Sequence, residues 1–140
     1  MASKKQKNTA LTVTVAEVRQ YEAVVSQLQA LAGQFEGQTA KKPDNPVNAF
    51  KVNIVNEKLA AANKLLEGEF RPLDGFTQFE EVNLPFNSDV SLVLGAYLSS
   101  LERWRSARVE RPPGESTWYW RIPDGTAIAS GRPSQFQPEE

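Results

Sequence analysis

The sequence predicts a mostly α protein, a bundle of three long helices with an aromatic-rich connector and a small terminal β element. That β element reads as a hairpin able to pair with an N-terminal strand, the plainer alternative being an irregular tail whose Trp residues plug the end of the bundle. Apolar residues recur at helical spacing in three stretches, each bounded by its own start and stop signals. Two short segments near the ends alternate as strands do. A length of 140 residues with 40% hydrophobic content suits one compact core. The expected organisation is a single helical domain over residues 9–133 between mobile ends at residues 1–8 and 134–140.

The first helix is expected to begin at Val15, because Thr14 and Glu17 stand three apart as a capping box, with Val13 and Val18 placed as a hydrophobic staple. Val18, Tyr21, Val25, Leu28, Ala32 and Phe35 then follow at spacings of three and four, and Gly37 supplies the stop. Asn45 followed by Pro46 reads as an N-cap with proline at the first helical position, so the second helix is expected over Pro46 to Glu67, closed by Gly68. Its apolar residues occupy two adjoining sectors. One holds Val47, Phe50, Ile54, Ala61 and Leu65, the other Val52, Val55, Leu59, Ala62 and Leu66, an arc wide enough for more than one neighbour.

The third helix has cap candidates in Asn87, Ser88 and Asp89 and is expected to run to Arg108 with Val90, Val93, Leu94, Tyr97, Leu98, Leu101 and Trp104 on one face. The three helices would be matched at about 21 or 22 residues, about 32 Å each. Thr9 to Val13 and Trp118 to Ile122 favour strands. Pro123-Asp124-Gly125 is a turn because proline presets φ, Asp bonds back to the backbone and Gly accepts positive φ, with Thr126 to Ala129 expected as the returning strand. The connector from Gly68 to Asn87 contains Phe70, Phe76, Phe79 and Phe86, too apolar for a solvated linker; Asp74 is expected to cap a short helical turn there.

Composition narrows function. The chain has no His and no Cys, which removes the Ser-His-Asp and Cys-His nucleophile systems, disulfides and His or Cys metal sites. Neither Glu80 with Glu81 nor Glu67 with Glu69 has a spacing that converges two carboxylates on one ion, and no Gly-rich phosphate loop or nucleophile elbow occurs. No catalytic residue, cofactor or metal is therefore expected, and the chain is read as not an enzyme. No apolar run reaches 18 residues, and Lys4, Lys5 and Lys7 precede no secretory h-region, so the expected location is cytoplasmic.

A net charge of -1 conceals an acidic connector and a basic segment from Arg103 to Arg121. Arg103, Arg105, Arg108 and Arg111, with Trp118, Trp120 and Arg121 close by, form the candidate surface for a partner protein or nucleic acid, since arginine and tryptophan are enriched at both kinds of interface. The plainer reading is helix C-terminal charge offsetting exposed carbonyl dipoles. Asn53, Asn56 and Asn63 form a candidate polar stripe on the second helix, for which a solvated face is the plainer reading. Ser91, Gly95 and Ser99 make a small-residue side on the third helix, suited to close packing.

The expected function is a non-catalytic helical protein–protein interaction or assembly module, a small subunit of a homo-oligomer or larger complex. The alternative is a nucleic-acid-binding accessory subunit using the Arg/Trp surface at the end of the third helix. A small-ligand-binding bundle would instead require an apolar pocket near Trp118 and Trp120.

Overall fold

A computed structural model describes residues 10–133; the expectations for residues 1–8 and 134–140 lie outside it. Three helices pack together, α1 over Val15–Lys41, α2 over Ala49–Leu65 and α3 over Asn87–Ser106, followed by a two-stranded antiparallel sheet of β1 (Val109–Glu110) and β2 (Tyr119–Trp120). The chain divides into two compact units, Gln20–Leu101 and a second formed by the segments up to Arg19 and from Glu102 onward.

In the helical unit the core is Leu28 from α1, Val52, Val55 and Leu59 from α2, and Leu94 and Tyr97 from α3, all fully buried. The three helices are unequal, at 27, 17 and 20 residues, and each correction to the expected bounds has a local cause. Gly37 does not stop α1. A glycine inside a helix costs about 1 kcal/mol but ends it only when the chain needs a left-handed residue, and Gly37 is not among the positive-φ glycines. Phe35 is buried beyond Gly33, and the Thr39 hydroxyl shares a hydrogen bond with Ser91 Oγ at 2.8 Å, so the last turns of α1 are held in place; Pro43 then bars continuation.

The second helix does not begin at Pro46. Residues 43–44 turn, and Pro46 then makes an isolated antiparallel bridge to Phe86, just before α3. The Val47 N–H donates to Pro85 O at 2.8 Å, the Asn87 N–H to Asn45 O at 2.9 Å and the Ser88 N–H to Pro43 O at 3.1 Å. The Asn45 carbonyl, which would accept the first hydrogen bond of a helix begun at Pro46, is taken by Asn87, and Asn48 caps α2 instead, its side chain accepting from the Lys51 N–H at 2.9 Å. Of the two apolar sectors on α2, Val52, Val55, Leu59 and Ala62 are fully buried, whereas Phe50 is 73% exposed. α3 starts at Asn87, so Phe86 precedes it and the cap candidates lie inside its first turn: the Asp89 carboxylate accepts from the Phe86 N–H at 2.9 Å, while the Asn87 amide donates to Lys42 O at 2.9 Å. It ends at Ser106, two residues early, as the Arg108 N–H turns to Arg105 O at 2.8 Å.

The connector contains no helical turn at Asp74; its one helical element is a short 3₁₀ turn over Gly68–Phe70. Phe76 and Phe79 still meet, their rings edge to face at 5.1 Å.

In the second unit, the capping box forms as read. The Glu17 N–H donates to Thr14 Oγ1 at 3.1 Å and the Thr14 N–H to Glu17 Oε1 at 2.9 Å. The turn after Ile122 also forms, with Gly125 at φ 91° and the Thr126 N–H donating to Asp124 Oδ1 at 2.8 Å. Hydrogen bonding from the Thr126 side chain, and then from its backbone N–H, holds the Asp124 carboxyl below its ordinary value. The principal partner of β2 is not the returning strand but β1, in the register Val109 opposite Trp120 and Glu110 opposite Tyr119. The returning segment does pair with β2 on its other edge, but briefly: Ala129 bridges Tyr119, the Trp120 N–H donates to Ile128 O at 3.0 Å and the Ser130 N–H to Trp118 O at 2.9 Å. Thr9 lies outside the described residues and residues 10–13 form no strand, yet the Val13 N–H donates to Arg121 O at 3.0 Å. A chain segment thus borders β2 on each edge, and Val13, Val18, Trp104, Val109 and Trp120 are buried in this unit.

Candidate functional site

Most of the arginines singled out from the sequence are tied into the fold. The Arg121 guanidinium donates to three backbone carbonyls, Leu11 O at 2.6 Å and Ala107 O and Val109 O at 3.0 Å each, and to the Glu110 carboxylate at 3.1 Å. Arg105 pairs with Glu102 at 2.8 Å and reaches the carbonyls of Ser130 at 2.8 Å, Gly131 at 3.2 Å and Arg132 at 3.0 Å. Arg108 lies over the Trp104 ring, 4.3 Å from its centroid, and donates to Trp104 O at 3.0 Å. Trp120 is buried against Trp104 with ring centroids 6.1 Å apart. The planar fork of arginine suits several carbonyls at once, which is what Arg105 and Arg121 do here. Arg103 is half-buried.

Arg111 and Trp118 are different. Arg111 is exposed, Trp118 is half-buried, and both line an open cleft of about 490 Å³ with Ser116, Thr117, Gly131 and Arg132. Sequence reasoning missed Arg132, Ser116 and Thr117 there. Arg132 lies 21 residues beyond Arg111, and only the pairing of residues 118 and 130, through the Ser130 N–H to Trp118 O at 2.9 Å, brings the two segments side by side. The open depression beside Trp120, about 340 Å³, is bordered by Glu110 and Glu115 and is not the apolar pocket a ligand-binding bundle would need.

The asparagine stripe on α2 divides. Asn53 is exposed. Asn56 clasps the connector at both backbone groups of one residue, its Nδ2 donating to Phe79 O and its Oδ1 accepting from the Phe79 N–H, each at 2.8 Å. Asn63 Nδ2 donates to Thr77 O at 3.1 Å, and Asn63 Oδ1 accepts from the Tyr97 hydroxyl at 2.8 Å. These two amides are structural staples, and the signal that could have found them was an aromatic connector too long to be left solvated opposite an Asn-rich helix face.

Burial pushes the Tyr97 phenol above its ordinary value of 10, an effect that the hydrogen bond to Asn63 and the charge of Arg71 partly oppose. In the unfolded chain the phenol ionises near 10, while in the folded chain it stays protonated to higher pH. Its contribution to stability is therefore complete below pH 10 and is lost as pH rises through the folded value. Urea melts of the wild type and of Tyr97→Phe should show a stability difference that shrinks above about pH 10. A difference constant with pH would remove this account.

A second surface lies between α1 and α2. Phe50, Ile54 and Leu31 border an open groove of about 420 Å³, with Phe35 at its base and Gln34, Gln38 and Lys51 on its rim. Elsewhere Leu92 on α3 is 74% exposed, and Gly95, one turn on, faces open space, since a Cβ there would meet nothing within 4 Å. Gly95 therefore serves no close helix contact among the described residues.

Among the described residues no three carboxylates come together as a metal would require, and no helix is long and apolar enough to cross a membrane. No protein-family model, curated protein or solved structure matches this chain, so its functional reading rests on the residues themselves.

Proposed function

We propose that the chain is a non-catalytic helical interaction or assembly module whose α1–α2 face docks a protein partner or a second copy of the chain. The observation that supports it is Phe50. The apolar arc of α2 is wider than the core uses: one sector is fully buried, and the adjoining one leaves a phenylalanine 73% exposed over a groove lined by Leu31 and Ile54. An exposed aromatic beside an apolar groove with a polar rim has the composition of an interface hot spot. The lack of His and Cys, which leaves few nucleophiles or bases, supports the non-catalytic part. A nucleic-acid surface spread over all the basic residues is less favoured, because Arg105, Arg108 and Arg121 already hold backbone carbonyls.

Phe50→Glu is the test. Its side chain is on the surface, so folding should be preserved, and covering a phenylalanine side chain is worth about 1.5–3 kcal/mol. Self-association by light scattering, or capture of a defined native partner, should weaken about tenfold to a hundredfold. A strictly monomeric wild type with no partner retained, or an F50E variant that associates normally, would overturn the proposal.

A further inference from the structure

We infer that the cleft between residues 111–118 and 131–132 is a nucleotide site, taking a phosphate on Arg111 and Arg132 and stacking a base on Trp118. It lies within the C-terminal unit and does not depend on the α1–α2 face. Both arginines are exposed, line the same cleft, and make no ion pair among the described residues; no carboxylate lines it. Two like charges on one open cleft repel each other, whereas Arg105, Arg108 and Arg121 have carboxylates or carbonyls for their charge. An anion between them would relieve that repulsion, and phosphate oxygens match two arginine forks with hydroxyl donors beside them. Ser116 and Thr117 supply those hydroxyls.

The walls are built independently of any ligand. Arg105 draws the carbonyls of Ser130, Gly131 and Arg132 to itself, fixing one wall from behind. The other wall leaves β1 through Pro112, Pro113 and Gly114, a turn closed by the Glu115 N–H on Pro112 O at 3.1 Å with Gly114 at φ 83°. Gly131 takes a left-handed φ of 79°, which sets the course of the backbone on this side of the cleft. Trp118 makes no ring contact with another aromatic among the described residues, in contrast to Trp104 and Trp120. A volume of about 490 Å³ falls in the usual range for small-molecule sites. A base that stacks on one indole face needs no sequence-specific hydrogen bonds.

Calorimetric titration of the full chain with adenosine 5′-monophosphate, adenosine and inorganic phosphate tests this. The monophosphate should bind about tenfold or more tightly than adenosine, and Arg111→Gln with Arg132→Gln should remove that advantage while the melting temperature stays unchanged. Trp118→Leu should weaken the monophosphate about fivefold or more and leave inorganic phosphate unaffected. A single-stranded oligoadenylate run in parallel separates the sources. Tighter, steeply salt-dependent binding identifies a strand, and binding no tighter than the monophosphate identifies a free nucleotide. No heat with the monophosphate, or equal affinity in the double variant, would overturn the inference.

Discussion

Arg121→Ala should lower the stability of the C-terminal unit by about 3 kcal/mol, among the largest single-residue effects expected outside the apolar core. The guanidinium is three-quarters shielded and donates to Leu11 O, Ala107 O and Val109 O as well as to Glu110, so alanine leaves three carbonyls without that donor. A hydrogen bond to a charged group contributes about 1.5–3 kcal/mol when buried, less at the partly wet Glu110 end. The Glu110 pair, whose carboxylate is half exposed, adds little. Arg121→Lys should recover less than half, because an ammonium on a flexible stem cannot reach three carbonyls together. Chemical denaturation followed by tryptophan fluorescence reads the loss, and hydrogen exchange should place it at residues 11–13 and 107–110. If Arg121 instead serves a nucleic-acid strand, alanine would leave stability intact and abolish salt-sensitive retention of single-stranded RNA.

Arg121 also illustrates where sequence reading fails in this chain. Thr14 with Glu17 was legible because a capping box is complete within four residues, and the Pro123–Gly125 turn for the same reason. The apolar stripes of α1 and α3 placed their buried faces correctly, since a helical period carries burial information without knowledge of the partner. Asn45-Pro46 and Asn48 were equally good helix starts in local chemistry. Residues 85–88, some forty positions away, decided between them by pairing with 43–47. Gly37 failed as a stop because a glycine signals a helix end only if the next segment leaves, and Phe35 and Thr39 have contacts that keep the helix going.

The candidate arginines were legible as a cluster but not as individuals. Glu102 three residues before Arg105 is a readable pair, whereas the carbonyls at 130–132 that complete its shell are not. Arg111 looked like the rest and is distinguished only by the cleft it shares with Arg132. The exposed face of α2 was visible as excess apolar width, and only packing shows that Phe50 is the residue left outside. In each case a side-chain type was readable and its use depended on a partner distant in sequence.

Asn56→Ala combined with Asn63→Ala should release the connector and cost about 4 kcal/mol, on four hydrogen bonds at about 1 kcal/mol each. Both Asn56 bonds end on the backbone of Phe79, a half-buried residue whose N–H and C=O would otherwise need water. The Asn63 change acts differently. Tyr97 is fully buried, and its hydroxyl would lose the acceptor at 2.8 Å with no water shell to replace it, so this single variant should cost more than Asn56→Ala despite having no more hydrogen bonds. Adding Tyr97→Phe to Asn63→Ala should restore about 1 kcal/mol, because it removes the orphaned donor, a rescue that mere loss of helix propensity could not produce. Limited proteolysis should meanwhile open residues 70–82 in the Asn56 variant while α3 stays protected. If the double variant loses less than about 1 kcal/mol, or the Tyr97→Phe change fails to rescue, the amides are a solvated face after all and the connector is held by its phenylalanines alone.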